Sequence, residues 1–330
     1  MKHYKSLLSF ILCVCLLLSL SITLLGCGTD SSDKVIIYSN ADKEAVASIK
    51  KTLDANGYSG KYILQSFGTS ELGGKLLVEG SAIEADIVTM SSYYLESAQT
   101  QNKMFRDLTF PVPANNSCPS FYAPLLAIQG ALLINTAELQ AEGLDMPTSI
   151  ADLANAQYAG HISIVDIQGS STAWLMIQAL IDTYGEEETK AILTAIYANA
   201  GAHLEQSGSG PIKKVRVGEV VVGFGLRHQA VADKASGLPV GFVDPAEGNY
   251  TLTEALAVVD KGDRTKALAM EMVQCIIEKG RADLMENYPV PLYEGEQAGT
   301  AAVPSNNKVF PKKLTVELLD KHRQLSESCK

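Results

Sequence analysis

Four places in the sequence put small polar side chains directly after a short apolar run that predicts a strand. They are Ser39 and Asn40, Thr69 and Ser70, Ser91 and Ser92, and the run Ser170, Ser171 and Thr172. A helical pattern follows each of them, so these side chains would stand at the start of a helix. Such N-termini bind phosphate, sulfate or carboxylate, because free backbone N–H groups and the helix dipole favour negative charge there.

Helix capping explains any one of these corners equally well, since Ser, Thr and Asn are preferred N-cap residues. Four corners together favour a ligand site, because the carboxyl ends of parallel strands share one edge of a sheet, where ligands bind. Gly68 and Gly169 lie beside two of the corners and would let the backbone approach a ligand closely.

Three charged or titratable side chains in the second half extend this hypothesis. Arg227 and His228 follow the apolar run 220–224. Arginine suits phosphate or carboxylate because its planar guanidinium donates several hydrogen bonds, and His228 would bond a sugar hydroxyl or a phosphate oxygen. Glu247 would accept from a ligand amine or hydroxyl. The alternatives are a solvated helix start for Arg227 and His228, and a turn cap for Glu247.

Catalytic and metal-binding motifs are missing from the sequence. It has neither a G-x-S-x-G elbow nor H-E-x-x-H, and its histidines are scattered. Cys118, Cys275 and Cys329 lack the spacing of a zinc site, although one disulfide among them remains possible. We therefore expect a protein that is not an enzyme, with no cofactor and no metal; a secreted hydrolase is disfavoured.

The N-terminus predicts export and lipid anchoring. Lys2 and Lys5 precede an almost continuous apolar stretch over 7–25, which ends in Leu-Leu-Gly-Cys at Cys27. This is the layout of a bacterial lipoprotein signal peptide over 1–26, followed by a lipidated Cys27 and a polar tether over 27–33. The alternative is an uncleaved membrane anchor, since about 18 apolar residues can span a bilayer.

The charge of the mature chain limits its partners. Removal of residues 1–26 takes away two lysines and leaves 25 basic against 37 acidic residues, a formal charge of −12. Such a surface repels nucleic acid and anionic lipid head groups. We therefore expect an extracytoplasmic protein held at the outer face of the membrane by its lipid alone.

The rest of the chain alternates strand and helix patterns, which predicts an α/β fold with mostly parallel sheets flanked by helices. Strands are predicted over 35–38, 61–65, 85–89, 162–165, 220–224 and 256–259. Helices are predicted over 43–56, 69–79, 171–183, 186–199, 264–278 and 314–325.

Four segments in this order carry a resemblance to a known family. They are VIIYSN from Val35, EADIV from Glu84, GEVVVGFG from Gly218 and PAEGNY from Pro245. From about residue 34 to 293 the chain resembles type II periplasmic binding proteins. Within them it is similar to the branch that groups binders of ferric iron, thiamine, hexose phosphate and 2-aminoethylphosphonate.

The resemblance implies two α/β lobes, each a mostly parallel sheet with helices, which two hinge crossovers join near 122–127 and 240–244. Lobe one would comprise 34–125 plus 243–290 and lobe two 126–242. The C-terminal helical segment 291–330 would pack on lobe two. A ligand would be enclosed between the lobes by hinge motion.

Residues that differ from the family's pattern narrow the range of expected ligands. Ferric binders resemble one another in a Tyr-Tyr pair of lobe two and often a His in the first loop. Here that loop reads Ser-Asn-Ala-Asp from Ser39, and the Tyr93–Tyr94 pair falls in lobe one, where it is interpreted as core or cleft wall. Trp174 keeps a stacked thiamine possible, with a core role as the alternative.

The expected function is therefore that of a monomeric solute-binding lipoprotein of an ABC importer. It would capture a small anionic ligand, an organophosphate or phosphonate such as 2-aminoethylphosphonate or a sugar phosphate, and deliver it to a permease that works with an ATPase. Thiamine or a thiamine phosphate is the next ligand, and ferric iron the last. A sensor lipoprotein that presents its ligand to a receptor fits the same features.

Overall fold

The computed structural model describes residues 34–298 and 303–330. The predicted signal peptide, the lipidation site Cys27 and the tether lie outside the described residues. Within the described ranges, no helix combines the length and apolar character that a bilayer span requires.

Strands and helices alternate along most of the described chain. The strands are β1 (Val35–Ser39), β2 (Tyr62–Ser66), β3 (Ile87–Ser91), β4 (Tyr122–Asn135), β5 (Ile162–Val165), β6 (Leu204–Glu205), β7 (Val222–Leu226), β8 (Val240–Val243), β9 (Asn249–Val258) and β10 (Asn307–Lys308). The α-helices are α1 (Lys43–Leu53), α2 (Thr69–Glu79), α3 (Ser92–Asn102), α4 (Thr136–Glu142), α5 (Thr172–Ala200), α6 (Gly210–Arg216), α7 (Arg227–Ala235), α8 (Ala267–Asn287) and α9 (Val316–Glu327).

The strands form one sheet in the order β2-β1-β3-β9-β4-β7-β5-β6, with β8 beside β4 and β10 beside β9. Pairing is parallel on both flanks, between β1 and its neighbours β2 and β3 and between β5 and its neighbours β6 and β7. It is antiparallel at the centre, where β9 joins β3 and β4 and where β4 joins β7. The prediction of parallel pairing therefore holds for the two flanks of the sheet. The antiparallel pairing at its centre was not predicted from the sequence pattern.

Strand β4 crosses from one half of the sheet to the other. Its first part, Tyr122 to Gln129, pairs with β9, and its second part, Gly130 to Ile134, pairs with β7. All 14 of its residues are buried, as expected for a strand that is covered on both faces. The first predicted crossover, 122–127, falls on this strand, and the second, 240–244, falls on β8.

Most predicted elements are present with shifted ends. The predicted helix over 69–79 and strand over 162–165 have the same bounds in the structure. The two helices predicted over 171–183 and 186–199 join into α5, with a break at Gly185, where φ is 78°; glycine adopts such a φ without steric cost. The strand predicted at 256–259 starts earlier, at Asn249, and the helix predicted at 264–278 is α8, which ends at Asn287.

The C-terminal helix α9 makes polar contacts with α5 on one side and with α2 and α3 on the other. Trp174 of α5 donates a 2.7 Å hydrogen bond to His322, and Tyr197 of α5 shares one of 2.5 Å with Ser326. On the other side, Arg323 donates to Ser70 Oγ at 2.8 Å and to the Tyr94 hydroxyl at 3.1 Å. Beside its contacts with α5, α9 therefore also contacts α2 and α3 through Arg323.

Trp174 is fully buried and packs against Tyr93, Phe310 and His322. Its surroundings are those of a core residue, and it does not line the main cavity described below. Tyr93 and Tyr94 are also buried, each 2% exposed.

The Trp174–His322 contact makes stability sensitive to acid. Burial, with a smaller contribution from nearby Lys321, lowers the pKa of His322 to about 4. Because the folded pKa lies below the unfolded value, the stabilisation is present above about pH 6.5 and is lost as the pH falls toward 4. We expect wild-type protein to lose about 2 kcal/mol more than a His322→Gln variant between pH 7 and pH 5, measured by urea unfolding. Glutamine can still accept from Trp174 but does not titrate, so equal losses in the two proteins would contradict this account.

Candidate functional site

A cavity of about 260 Å³ opens at the carboxyl ends of the parallel strands. We call its two sides the first wall and the second wall. The first wall is formed by Asn40, Ala41, Asp42, Phe67, Gly68, Thr69 and Glu254, and the second wall by Gly169, Ser170, Ser171, Thr172, Gln206, Ser207, Gly208 and Ser209. Leu126, Ile128 and Leu226 add apolar surface.

The first wall contains the N-terminus of α2. The residue that precedes this helix is Gly68, and no side chain caps its first turn. The first N–H groups of a helix lack intrahelical acceptors, so these donors remain for a ligand beside the hydroxyl of Thr69. Asp42, by contrast, already caps α1 by accepting from the Ala45 N–H at 3.1 Å.

The second wall contains the N-terminus of α5, where the side chain of the N-cap residue Ser171 makes no cap. The N–H of Thr172 donates to Ser170 Oγ at 3.4 Å, and those of Ala173 and Trp174 donate to the backbone of Ser170 and Ser171. Ser170, Ser171 and Thr172 are 7%, 5% and 3% exposed and all line the cavity. Two helix N-termini with adjacent hydroxyls therefore lie on opposite walls, and the first turn of α2 is uncapped. This arrangement suits an anion, since both helix dipoles favour negative charge.

The loop after β6 completes the second wall by approaching α5 closely. A Cβ at Gly169 would lie 2.6 Å from the backbone oxygen of Gln206, and a Cβ at Gly208 would overlap Thr172 Oγ1. Only glycine fits at these two positions. Sequence reasoning missed this loop because β6 has only two residues; the Ser-Gly-Ser-Gly-Pro run from Ser207 is the signal that could have found it.

Sequence reasoning also missed Glu254. It lies on β9, is 4% exposed, and accepts a 2.7 Å hydrogen bond from Ser91 Oγ. Burial raises its pKa to about 7, and the side chains of Ser91 and Asn40 partly offset that rise. The only sequence signal for it is its charge, since Glu254 is the one charged residue of β9.

Five of the twelve predicted binding residues line this cavity: Asn40, Thr69, Ser170, Ser171 and Thr172. The others lie outside its lining. Ser39 shares a 2.6 Å hydrogen bond with Thr89, and Ser91 bonds Glu254. Ser70 accepts from Arg323, and Ser92 is the first residue of α3.

The charged predicted residues are engaged elsewhere. Arg227 donates to both carboxylate oxygens of Asp244, at 2.7 and 3.1 Å. It lines, with His228, a second cavity of about 170 Å³. Glu247 accepts from the N–H groups of Ile150 and Ala151 at 2.8 and 2.9 Å, so it acts as a turn cap, the alternative to a ligand contact.

His228 reaches the rim of the main cavity through Asp42. Its Nε2 lies 3.3 Å from Asp42 Oδ2, and its ring packs on Tyr288 with the ring centroids 4.4 Å apart. Burial disfavours a charged Asp42, but the hydrogen bonds from His228 and Tyr288 hold its pKa below the usual value. Among the described residues, Asp42, Glu44 and His228 are the one group whose potential metal-ligand atoms lie within 4.8 Å of one another.

The side chains that a metal site would use are largely engaged within the protein. The carboxylate of Asp42 is already shared among the Ala45 N–H, Tyr288 and His228. The Tyr93–Tyr94 pair lies in the core, where Tyr94 accepts from Arg323. Cys118, Cys275 and Cys329 are free thiols.

The model of the bacterial extracellular solute-binding protein family matches residues 82–313. The chain belongs to this family. It is also 26% identical, over 67% of its length, to the Fe(3+)-binding periplasmic protein of Serratia marcescens. The chain spans only part of the curated relatives that it matches, 65% of this one and 33% of a second, uncharacterised relative.

Solved structures confirm the fold. The periplasmic binding protein AfuA from Actinobacillus pleuropneumoniae, with fructose-6-phosphate bound, is similar with a TM-score of 0.74 and 18% identity, over 89% of this chain and 97% of that one. Iron-bound HitA from Pseudomonas aeruginosa is similar with a TM-score of 0.69 and 19% identity, over 90% and 99%. The predicted two-lobed type II periplasmic-binding-protein fold is therefore confirmed.

The contact between Gly208 and Thr172 yields a test of the second wall. We expect Gly208→Ala to destabilise the protein by about 1–3 kcal/mol, because the added methyl overpacks against Thr172. In the Gly208→Ala/Thr172→Ala double variant the Oγ1 atom is gone, so the combined cost should be less than the sum of the single costs. Denaturant unfolding measures all three variants.

The matched control is Gly74→Ala, on α2, where a Cβ would meet nothing within 4 Å. Alanine is the better helix former by about 0.5–1 kcal/mol, so this variant should be neutral or slightly stabilised. Additive costs at Gly208 and Thr172 would show that the two loops do not make the contact described.

Proposed function

We propose that this protein is the extracytoplasmic solute-binding lipoprotein of an ABC importer. It captures a small anionic ligand, an organophosphate or phosphonate, in the cavity between the two walls. The ligand-loaded form then docks on a membrane permease whose cytoplasmic ATPase drives uptake. Membership of the extracellular solute-binding family supports this role.

The observation that carries the ligand class is the pair of helix N-termini that line the cavity, α2 with an uncapped first turn on the first wall and α5 with its hydroxyls on the second. No Lys or Arg is among the cavity-lining residues in the described part of the chain. An anion would therefore be held by backbone N–H groups and by the hydroxyls of Thr69, Ser171 and Thr172. The volume of about 260 Å³ is just below the range of about 300–1,000 Å³ that is typical of ligand pockets, which favours a small ligand.

Closure of the cavity belongs to the same proposal. Lobe one would comprise 34–125 plus 243–290 and lobe two 126–242, so that β4 and β8 carry the chain between them. Each wall would then come from one lobe, since Glu254 of β9 also falls within lobe one. Enclosing the ligand removes water, which strengthens the hydrogen bonds from both helix N-termini.

Binding to a ligand panel tests the proposal. We expect a phosphonate or phosphate ester to raise the melting temperature of the purified mature protein, since a ligand at 100 times its Kd stabilises by about 2.7 kcal/mol. The panel also contains thiamine, thiamine phosphate and ferric citrate. Stabilisation by thiamine or ferric iron alone would reverse the proposed order of ligands.

The Ser171→Ala/Thr172→Ala variant tests the helix N-terminus. Each lost hydrogen bond to a charged group contributes about 1.5–3 kcal/mol, so the affinity for the ligand found in the panel should fall at least tenfold by calorimetry. The control is Ser92→Ala, which removes a hydroxyl from the start of α3, outside the cavity lining, and should keep wild-type affinity. A double variant that loses stability but keeps its affinity would show that these hydroxyls serve only the helix.

A Cys27→Ser variant tests the lipid anchor. Without the thiol that carries the diacylglycerol, the protein should be released into the medium or stay unprocessed. Mass spectrometry of the native N-terminus should find a diacylglyceryl-cysteine at position 27. An intact Met1, or cleavage elsewhere without lipid, would contradict the anchor.

A further inference from the structure

Two buried oxygen atoms on the first wall have no hydrogen-bond partner. One is Oε2 of Glu254, whose other oxygen accepts from Ser91, and the second is Oδ1 of Asn40. Both residues line the same cavity. When Glu254 is ionised both atoms are acceptors, so a hydrogen-bond donor is what this part of the wall then lacks.

An unsatisfied buried carboxylate oxygen is unusual in a native structure. Buried polar atoms nearly always have a partner, and leaving one without any is costly. Burial accordingly raises the pKa of Glu254 to about 7. The cost disappears when a ligand brings a donor, and it disappears most completely when that donor carries a positive charge.

The remaining acidic residue of the lining does not compete for this role. Asp42 accepts from the Ala45 N–H and from Tyr288, and it lies beside His228. Both of these hydrogen bonds go to Oδ1, and Oδ2 lies 3.3 Å from His228 Nε2. Glu254 is the carboxylate of the lining with a buried oxygen that has no hydrogen-bond partner.

The cavity thus has two unlike regions. The N-termini of α2 and α5 favour negative charge, whereas Glu254 disfavours it. A ligand that is only an anion would leave the carboxylate unsatisfied and repelled. A ligand with an anionic group and a cationic group matches both regions.

We propose that Glu254, together with Asn40, receives a primary ammonium group of the ligand, so that the substrate class is a short amino-alkyl phosphonate or amino-alkyl phosphate. This inference rests on the proposed function, because the anionic group is placed at the helix N-termini. Glu254 is then the residue that sets specificity for the amine.

One competing arrangement uses the same residues. The Asn40 amide lies beside Glu254, and its Nδ2 points to Thr69 Oγ1 at 3.4 Å. The Asn40 side chain already lowers the pKa of Glu254 by hydrogen bonding, so a small movement of its Nδ2 from Thr69 toward Glu254 would satisfy the carboxylate. The first wall would then be satisfied without a ligand amine, and Glu254 would play no part in specificity.

Matched ligands distinguish the two arrangements on the wild-type protein. The probes are 2-aminoethylphosphonate, 2-hydroxyethylphosphonate and ethylphosphonate, with phosphoethanolamine and ethyl phosphate as the phosphate pair. We expect the amine-bearing member of each set to bind at least tenfold more tightly by calorimetry. Equal affinity for the amine and its ethyl or hydroxyethyl counterpart would overturn the inference and leave the proposed function standing.

The Glu254→Gln variant tests the residue itself. Glutamine can keep the hydrogen bond from Ser91 but loses the charge, so the affinity for 2-aminoethylphosphonate should fall at least tenfold while that for ethylphosphonate stays the same or rises. The control is Glu142→Gln, which removes the same charge from an exposed position on α4. Unchanged affinity of Glu254→Gln for the amine probe would overturn the inference.

Failure of the underlying proposal has its own signature. If no phosphonate or phosphate probe binds, with or without an amine, the proposed anion site is wrong. The inferred ammonium site, which depends on it, is then wrong as well. If the ethyl compounds bind and the amine brings no gain, only the ammonium site is wrong. The comparison of ligands on wild-type protein decides this even if Glu254→Gln does not fold.

Discussion

The antiparallel pairing of β4 with β9 is the contact on which the rest of the structure depends. It joins two parallel flanks that share no other strand, and every residue of β4 is buried. The pair also reaches the cavity, since Leu126 of β4 and Glu254 of β9 are partners in its register. A shift of that register by one residue would turn Glu254 away from the cavity, because side chains alternate between the faces of a strand.

The electrostatics of the cavity follow from where the charged side chains find their partners. Arg227 is turned toward Asp244, and its guanidinium lies 4.6 Å from the ring centroid of Phe242. With that cation placed outside the lining, backbone dipoles and hydroxyls are left to face an anion. Such groups are fixed by the fold and need no reorganisation when the ligand arrives, which favours a defined binding geometry.

The C-terminal helix α9 adds contacts that span the same division of the sheet. His322 and Ser326 bond α5, and Arg323 bonds Ser70 and Tyr94 on the other side. Just after the helix, Lys330 bonds Asp166, which follows β5. These bonds are short-range and directional, so any change in the relative position of α2 and α5 has to lengthen or exchange some of them. The helix is therefore coupled to the same two elements whose N-termini line the cavity.

Local patterns in the sequence are enough to determine the alternation of strands and helices and the polar corners at the helix starts. Apolar periodicity and N-cap preference act between residues a few positions apart, and so the sequence alone identifies Thr69 and the run Ser170, Ser171 and Thr172 as candidates. The type II binding-protein fold is likewise predicted from the order of short motifs and is confirmed. Such local patterns cannot predict the role of a residue when that role depends on a partner far along the chain.

Contacts between residues distant in sequence decided the roles of the charged candidates. Arg227 and Glu247 carry charges that suit a ligand. In the folded protein, however, Arg227 donates to Asp244. Glu247 accepts from the backbone N–H groups of Ile150 and Ala151. Glu254 gave no sequence signal beyond its charge, because its exposure to the cavity and its bond to Ser91, 163 positions away, exist only once β9 has paired with β3. Burial and hydrogen-bond partners are properties of the packed chain, and only the tertiary structure could assign them.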